Sequence, residues 1–255
     1  MSLVTIITGG SGGIGEELAY CAAKSGRKIV LVARSAQKMK AIAERIVALG
    51  APPAECVALD LADPQSGAAL GAFLKERDLK VFELINNAGY GLAGSVDKLD
   101  PADQLGMVDL NMRALTELTL RFLPEIIETK GGVMNVASTA AFQPGPNMAI
   151  YYASKAYVLS FSEAIWFELR GRARVTCLCP GPVPTGFAAR ANKGGTLRFM
   201  KLSRTSADFV AARGWDRFQR GQRVVVPGLL NEISAMFAPL TPKPLVLWVA
   251  SKISR

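Results

Sequence analysis

Residues 8–15 read Thr8-Gly9-Gly10-Ser11-Gly12-Gly13-Ile14-Gly15, and this glycine-rich stretch decides the fold. It directly follows the apolar run Val4–Thr8 and opens an amphipathic pattern that Gly26 ends. Glycines between a strand and a helix tighten the turn and let backbone N–H groups approach a pyrophosphate at the positive end of the helix. The stretch therefore predicts a nucleotide-binding turn rather than an ordinary strand–helix loop. The predicted contacts are Gly9, Ser11, Gly12, Gly13, Ile14 and Gly15.

Short apolar runs alternate with amphipathic stretches along the rest of the chain. Runs that suit parallel strands buried on both faces follow Val4–Thr8 at Lys28–Val32, Cys56–Leu59, Leu84–Asn86, Val133–Ala137, Val175–Leu178 and Val224–Val226. Helical patterns lie at Gly15–Ser25, Ala36–Leu49, Pro64–Arg77, Ala102–Thr129 with a break expected at Pro124, Tyr151–Arg170, and from Leu229 onward. This alternation predicts a doubly wound parallel α/β sheet with helices on both faces, formed as a single domain over residues 1–255.

Composition narrows the class of protein. The 255 residues are 50% hydrophobic and 20% charged, which fits one large globular domain. The first turn follows so soon after Met1 that no secretory leader is expected, and no apolar run reaches the roughly 18 residues of a membrane span. The chain has no histidine, which excludes imidazole-based catalysis and histidine-ligated zinc, so no metal site is expected. The scattered cysteines predict reduced thiols in a cytoplasmic protein; they are Cys21, Cys56, Cys177 and Cys179.

The net charge of +9 is unevenly distributed. From Arg170 to Arg223 there are twelve Lys or Arg residues against two acids, Asp208 and Asp216. A basic segment of this kind is typical of proteins that bind nucleic acid. This one contains no recognised nucleic-acid motif, so the chain is not expected to bind DNA or RNA. Two interpretations of the basic segment remain open: it forms a rim around the site of an anionic cofactor or substrate, or it is only a solvated surface.

The end of the second predicted strand indicates which dinucleotide binds. NAD sites usually place an acid about 20 residues beyond the glycines to hold the ribose hydroxyls. This chain reads Val32-Ala33-Arg34-Ser35 instead. Arg34, with Ser35 as a hydroxyl donor, favours the 2′-phosphate of NADP, because guanidinium binds phosphate oxygens with paired hydrogen bonds. Lys38 is a further candidate contact, although a solvated helix position explains it equally well.

Ordered motifs over essentially the whole chain resemble the short-chain dehydrogenase/reductase family. The glycine turn has the family's TGxxxGxG spacing, Asn86-Asn87-Ala88-Gly89 its NNAG motif, and Tyr151 with Lys155 its YxxxK pair. The run Val225–Gly228 and the basic, apolar tail look most like the branch of hydroxysteroid dehydrogenases and 3-ketoacyl-CoA reductases. The resemblance implies a Rossmann-type fold, hydride transfer between NADP(H) and a carbonyl or alcohol, and a homodimer or homotetramer that pairs through the long helices 102–129 and 151–170. The further cofactor contacts that it implies are Asp60, Leu61, Asn87, Ala88, Gly89, Tyr151, Lys155, Pro180, Gly181, Val183 and Thr185.

Proton chemistry is expected at Tyr151. Lys155 lies one helical turn away on the same face, and a cation within a few ångströms lowers a phenol pKa by about 1–3 units. An oxidised nicotinamide adds to that field, and Tyr151 is the predicted proton donor or acceptor. Ser138 is expected to hold the substrate oxygen, whereas Tyr152, outside the family spacing, is interpreted as a packing or pocket-wall residue. By resemblance, Asn111 holds a water that links Lys155 to solvent, and Lys155 also binds the nicotinamide ribose.

The substrate is less well defined by the sequence. Residues 186–222, which include Gly194 and Gly195, fall where the family carries a mobile lid, followed by a C-terminal helical region at 229–255. An anionic or acyl-thioester substrate is left open. The alternatives are a non-catalytic NADP-binding regulator on the same fold and, from charge alone, a nucleic-acid-binding protein; a larger epimerase lacks room for its extra domain. Apolar side chains in this part of the chain are candidates for the pocket wall, although ordinary core positions explain them equally well; they are Phe142, Met148, Phe187, Leu197, Phe199 and Met200.

Overall fold

The computed structural model describes residues 1–187 and 205–253 of the chain. Seven parallel strands form one sheet in the order β3-β2-β1-β4-β5-β6-β7, which confirms the doubly wound fold. The strand β4 begins at Leu79, five residues before the predicted Leu84, because buried and partly buried residues alternate in its first half and form no continuous apolar run. The strands are β1 Ser2–Thr8, β2 Lys28–Ala33, β3 Glu55–Ala58, β4 Leu79–Asn86, β5 Gly132–Val136, β6 Arg174–Leu178 and β7 Val224–Val225.

Helices connect the strands and cover the sheet. The helix after β2 begins at an N-cap, where the Ser35 hydroxyl accepts a hydrogen bond from the Lys38 N–H at 3.4 Å. Another begins with Asp100 as N-cap and Pro101 at the first position, one residue before the predicted Ala102. The helices are α1 Gly13–Lys24, α2 Ala36–Ala48, α3 Ser66–Glu76, α4 Pro101–Val108, α5 Leu115–Glu128, α6 Ala149–Glu168, α7 Ala207–Gln219, α8 Leu229–Phe237 and α9 Lys243–Ile253.

The predicted break at Pro124 is wrong. Pro124 lies inside the regular helix α5, and the irregularity lies upstream, in a π-helical stretch at Asp109–Ala114 that joins α4 to α5. Asn111 is in that stretch, and long-range hydrogen bonds hold its side chain. The reason for the irregularity is therefore tertiary, and no local signal in the sequence marks it.

The core forms a layer on each face of the sheet. Side chains of α1, α2 and α7 pack against one face, around Leu18, Met39 and Phe218. Side chains of α3 and α5 pack against the other face, around Leu70 and Phe122. Successive residues of β1 alternate between these layers, as the pleat of a strand requires.

The winding direction reverses between β1 and β4. Their carboxyl ends are held together because the Asn87 Nδ2 donates to the Thr8 carbonyl at 2.9 Å and the Thr8 hydroxyl accepts from the Ala88 N–H at 3.0 Å. Ligands of doubly wound sheets bind beside such a reversal. The glycine turn and the residues that follow β4 both lie there, so the fold brings the two predicted cofactor-binding segments to one place.

The segment predicted as a lid, 186–222, ends in a helix that belongs to the core. Within α7, Val210, Trp215 and Phe218 are buried against the sheet and α1. The wall candidates Leu197, Phe199 and Met200 lie outside the described residues. Across the described part of the chain, no helix combines the length and apolar character that crossing a membrane requires.

Candidate active site

A cleft of about 660 Å³ runs along the carboxyl edge of the sheet. Its walls come from the glycine turn, the segment after β4, the end of β5, helix α6 and the loop after β6. The two C-terminal helices close one side. The predicted site residues that line it are Gly9, Ser11, Gly12, Gly13, Ile14, Asn87, Ala88, Gly89, Ser138, Tyr151, Lys155, Pro180, Gly181, Val183 and Thr185.

The glycine turn has a conformation and a close packing that residues with a Cβ atom would not allow. Gly9 has φ +65° and Gly13 has φ +59°, backbone conformations that L side chains rarely adopt. A Cβ at Gly9 would lie 2.9 Å from the Ala88 Cα, so the turn packs directly against the segment after β4. At Gly12 a Cβ would meet no atom within 4 Å, because this position faces the open cleft at the start of α1. The turn therefore leaves backbone exposed at the positive end of a helix.

The end of β2 lies beside the cleft rather than in its described wall. Arg34 is exposed, and its Nη1 lies 3.9 Å from the Asp60 Oδ2. Ser35 caps α2 with the hydroxyl that the sequence assigned to the cofactor, and Leu61 is buried. Lys38, for which the sequence left two interpretations open, lines the cleft. The ionic groups that the sequence predicted at this end of the cleft are therefore found at Arg34, Lys38 and Asp60.

Tyr151 and Lys155 lie one turn apart on α6, and both line the cleft. The Lys155 Nζ is 5.9 Å from the centre of the Tyr151 ring and donates to the Val136 carbonyl at 2.8 Å. This bond ties the lysine to the end of β5. The helix spacing thus brings the ammonium close to the phenol, as the sequence predicts.

The pKa of Tyr151 differs from the predicted direction. Burial raises the pKa of the Tyr151 phenol to about 12, while the Ser138 hydroxyl acts in the opposite direction. Burial also lowers the pKa of Lys155 to about 8, although the nearby thiols of Cys177 and Cys179 favour the charged form. Desolvation disfavours the charged form of each group, and it is the largest influence on both pKa values.

Ser138 lies two residues after the end of β5 and faces Tyr151 across the cleft. Its hydroxyl caps the short 3₁₀ turn Thr139–Phe142, accepting from the Ala140 N–H at 3.1 Å, and donates to the Pro180 carbonyl at 3.4 Å. The serine is therefore fixed by local contacts and still lines the cleft. A hydroxyl held in this way is suited to orient a polar atom beside the phenol.

Asn111 lies behind the cleft wall and is almost completely buried. Its amide bonds both backbone groups of Tyr90, at 3.1 Å and 2.9 Å, and donates to the Ser154 hydroxyl at 3.1 Å. A Cβ at Gly89 would lie 3.0 Å from the Asn111 Oδ1 and 3.4 Å from the Lys155 Nζ. Asn111 and Lys155 therefore approach each other across a glycine.

The C-terminal helices contribute cleft residues that sequence reasoning did not identify. Asn231 lies against Gly181, where a Cβ would come 2.5 Å from the amide nitrogen, and its Nδ2 donates to the Pro227 carbonyl at 2.8 Å. These positions belong to no motif, and only the fold brings them to the sheet edge. The cleft residues from this region are Asn231, Ser234, Ala235, Ala238 and Ala250.

The predicted wall residues divide into groups. Met148 and Phe187 line the cleft, and the Phe187 ring centre is 5.3 Å from that of Tyr151. Tyr152 also lines it, with its ring 6.1 Å from Tyr151, edge to face. Phe142 instead packs into the core beside α6. The cleft beside the phenol is therefore largely apolar and aromatic.

The basic segment 170–223 does not present one charged face among its described residues. Arg174 is paired with the buried Glu83 at 2.9 Å, and Arg223 with Glu163 at 3.2 Å. Arg220 pairs with Asp216 at 2.8 Å. Much of the described charge is therefore neutralised within the chain.

Comparison with known proteins identifies the family and the fold to which this chain is similar. A family model described as short chain dehydrogenase matches residues 3–195. The sulfoacetaldehyde reductase of Chromohalobacter salexigens is 36% identical over 246 residues, which cover 95% of this chain and 90% of that protein. The 11-beta-hydroxysteroid dehydrogenase-like 4A protein of Arabidopsis thaliana is 35% identical over 184 residues, 72% of this chain and 62% of that protein.

Solved structures share the fold. A short-chain dehydrogenase from Sphingobium yanoikuyae in complex with NADPH superimposes with a TM-score of 0.81 at 30% identity, covering 92% of each chain. A short-chain dehydrogenase/reductase from Burkholderia phymatum in complex with NAD gives a TM-score of 0.82 at 24% identity, again over 92% of each chain. At that lower identity, the second likeness concerns the fold alone.

Proposed function

Because this chain belongs to the short-chain dehydrogenase/reductase family, we propose that it is an NADPH-dependent reductase of a small ketone or aldehyde. One observation carries the proposal: Tyr151, Lys155 and Ser138 line the same continuous cleft as the glycine turn. A dinucleotide on that turn and a carbonyl beside the phenol would share this space. The sulfoacetaldehyde reductase and the NADPH complex among the similar proteins support a reductase.

The glycine turn fits a dinucleotide. Gly12 faces open space, and Gly13 has a conformation that leaves backbone N–H groups at the start of α1 accessible to phosphate oxygens. Asn87, Ala88 and Gly89 form the adjacent wall. NADPH supplies the hydride when it is bound. Positions at the ribose and nicotinamide end are assigned to Lys155, Pro180, Gly181, Val183 and Thr185.

Proton transfer is assigned to Tyr151. With a pKa of about 12 the phenol keeps its proton at neutral pH, which is the form that a reduction requires. Ser138 orients the substrate oxygen, and the positive charge of Lys155 favours loss of the phenolic proton to the forming alkoxide. Asn111 positions the wall behind Lys155 through its bonds to Tyr90 and Ser154.

Replacing Tyr151 by Phe tests this assignment. We expect Tyr151→Phe to lower kcat by a factor of about 10²–10⁴, because the proton donor is lost, while the Kd for NADPH changes less than about threefold. The measurement is NADPH consumption with a panel of ketones, aldehydes, steroids and 3-ketoacyl thioesters. Tyr152→Phe is the matched control and should retain turnover. Undiminished activity in Tyr151→Phe would refute the role.

Preference for NADP over NAD is assigned to Arg34 and Lys38. No acid ends β2, and Lys38 lines the cleft near the exposed Arg34. We expect Arg34→Asp to raise the KM for NADPH by about 10–100-fold, since a charge-assisted bond to phosphate is worth about 1.5–3 kcal/mol. The KM for NADH should change little. Lys40→Asp, on the same helix, is the control, and equal losses for both cofactors would contradict the phosphate role.

The same assays separate the alternatives. A protein that binds NADPH but consumes none of it with any carbonyl in the panel would be the non-catalytic regulator. Anionic and acyl-thioester substrates are tested by comparing a 3-ketoacyl thioester with its short, uncharged analogue. Salt-dependent retention on random DNA at physiological ionic strength would favour the nucleic-acid-binding class.

Assembly and location complete the proposal. We assign homodimer or homotetramer formation to the long helices, where Leu120 of α5 and Phe167 of α6 are exposed apolar side chains. Light scattering measures the assembly, and a monomer would overturn it. All four cysteines are free thiols, which is the state that the reducing cytoplasm maintains. Fractionation of cells tests that location.

A further inference from the structure

Arg113 joins two segments of the chain at the carboxyl edge of the sheet. It lies in the π-helical stretch Asp109–Ala114, and its Nη2 donates to the Leu61 carbonyl at 3.3 Å and to the Ala62 carbonyl at 2.8 Å. Both carbonyls belong to the turn that follows β3, which ends at Ala58. One guanidinium therefore holds a turn that lies 51 and 52 positions earlier in the chain.

Two carboxylates fix the orientation of this guanidinium. The Arg113 Nε donates to the Asp109 Oδ1 at 3.3 Å, and its Nη1 donates to the Glu117 Oε2 at 3.2 Å, so the two carboxylates lie one helical turn before and after the arginine. All three nitrogens of Arg113 are thus engaged, although 31% of the side chain remains exposed. A guanidinium presents its N–H groups as a rigid fork, so the two carboxylates determine where the bonded carbonyls must lie.

The turn after β3 lies next to residues that the proposed function assigns to the dinucleotide. The Asp60 Oδ2 is 3.9 Å from the Arg34 Nη1, and the Asp60 Oδ1 accepts from the Ala62 N–H at 3.0 Å, which closes the turn. Leu61 is buried in the core layer against which Ala88 packs. Because Arg34 is assigned to the 2′-phosphate, this turn lies beside the adenosine half of the dinucleotide, the half that carries that phosphate.

The same π-helical stretch also reaches the proton-transfer end of the cleft. Asn111 lies two residues before Arg113, and its Oδ1 approaches the Lys155 Nζ across Gly89. Short π-helical segments within α-helices are frequent at functional sites. The stretch therefore serves both ends of the cleft through different side chains, so a change at Arg113 is expected to affect one end and leave the contacts of Asn111 in place.

We propose that Arg113 is a positioning residue for the adenosine half of the bound dinucleotide. By fixing the carbonyls of Leu61 and Ala62, it holds the turn with Asp60 in place before the dinucleotide binds. Without these bonds, the dinucleotide itself must order the turn, and the entropy lost in that step reduces the affinity. The inference rests on the proposed NADPH binding and adds to it a residue that belongs to no cofactor motif.

Calorimetric titration with adenosine 2′,5′-bisphosphate, which carries only the adenosine half of NADPH, tests the proposal. We expect Arg113→Met to raise the Kd for this bisphosphate and the Kd for NADPH by the same factor, at least about fivefold, because binding then has to order the turn. With a carbonyl that the wild type reduces, kcat at saturating NADPH should change less than about threefold, since the contacts of Asn111 and Lys155 remain. The matched control is Arg121→Met, which loses a bond to the same Glu117 at 3.3 Å and should bind both ligands as the wild type does.

Three results would overturn the role of Arg113. One is an unchanged Kd for the bisphosphate in Arg113→Met. Another is an equal rise in Arg121→Met, which would assign the loss to the charge of Glu117 rather than to the bonded carbonyls. The third is a fall in kcat of more than about tenfold at saturating NADPH, which would mean that the arginine acts through Asn111.

A second variant covers the case in which Arg113→Met does not fold. Arg113→Lys keeps a positive charge between the two carboxylates but presents no fork to two carbonyls, so it should raise the Kd for the bisphosphate by at least about threefold. Wild-type affinity in that variant would overturn the proposal. If the wild type binds no NADPH, the proposed function fails together with this inference. If the wild type binds NADPH and Arg113→Met binds it equally well, only the role of Arg113 fails.

Discussion

The side chain of Lys155 is almost completely buried, and burial lowers its pKa from 10.5 to about 8. The gap corresponds to about 3 kcal/mol at 1.36 kcal/mol per unit. Because the folded-state pKa lies below the unfolded one, the unfolded chain holds the proton more tightly. The cost is fully present below pH 8 and disappears as the pH rises through 10.5. The positive charge of Lys155, which the proposed reaction uses at neutral pH, therefore destabilises the folded state at that pH.

Replacing the lysine by methionine tests this trade. We expect Lys155→Met to raise the free energy of unfolding at pH 7 by about 1–3 kcal/mol, part of the gain being offset by the lost bond to Val136, and to abolish turnover. Urea unfolding at pH 7 and at pH 10.5 measures it, with the advantage expected to shrink at the higher pH. Lys40→Met is the exposed control. A destabilised Lys155→Met protein at pH 7 would contradict this account.

At the scale of residues, the sequence predicted that Tyr151 and Lys155 lie close together, but it did not predict the direction of the Tyr151 pKa shift. The four-residue spacing places Tyr151 beside Lys155 because both lie on one helix face. The direction of the Tyr151 pKa depends on how deeply Met148, Phe187 and Tyr152 surround the phenol. That burial is a property of distant segments, so spacing alone gave the wrong sign.

Helix α5 continues through Pro124, although proline lacks an N–H and its ring crowds the carbonyl four residues earlier. We expect Pro124→Ala to raise the free energy of unfolding by about 1–2 kcal/mol, a proline cost of about 3 kcal/mol being partly offset by the freer unfolded chain. Denaturant unfolding measures the change. An unchanged or lower midpoint would mean that the helix is built to hold the proline ring.

At the scale of elements, the start of α4 was predictable because it depends on local pattern: the sequence predicts a helix from Ala102, and α4 begins at Pro101. The π-helical stretch 109–114 was not, since Asn111 turns inward to bond Tyr90, twenty-one positions earlier. The cleft wall formed by α8 was missed for the same reason. Apolar periodicity located that helix, but only tertiary packing decides which side faces the cleft.

Across the whole molecule, the sheet separates the cleft from a buried ion cluster. Glu83, with no exposed side-chain surface, accepts hydrogen bonds from Thr5, Arg27, Arg174 and Gln219. Arg27 and Arg174 lie at the amino ends of β2 and β6, whereas the cleft lies at the carboxyl edge. The cluster joins five regions of the chain far from the proposed chemistry.

Removing its charge is expected to affect stability without affecting the reaction. Glu83→Gln should lower the free energy of unfolding by about 3–5 kcal/mol, because two arginines lose their buried counter-charge. The kcat/KM of the folded protein should change less than about threefold. Glu128→Gln, in the exposed pair with Lys80, is the control and should cost less than about 1 kcal/mol. A large fall in kcat/KM would mean that the two edges are coupled.

Helix α8 belongs to two surfaces at once, through Asn231 on one side and Leu230 on the other. A partner that restrains the nine residues of α8 from the outer side lowers the conformational entropy of this helix. A ligand in the cleft then loses less conformational entropy when it orders the same helix. Thermodynamic linkage makes the effect mutual, so each ligand alters the dissociation constant of the other by the same factor. A partner that binds the outer side of α8 would thus be an allosteric effector of the cleft, acting through a single shared helix.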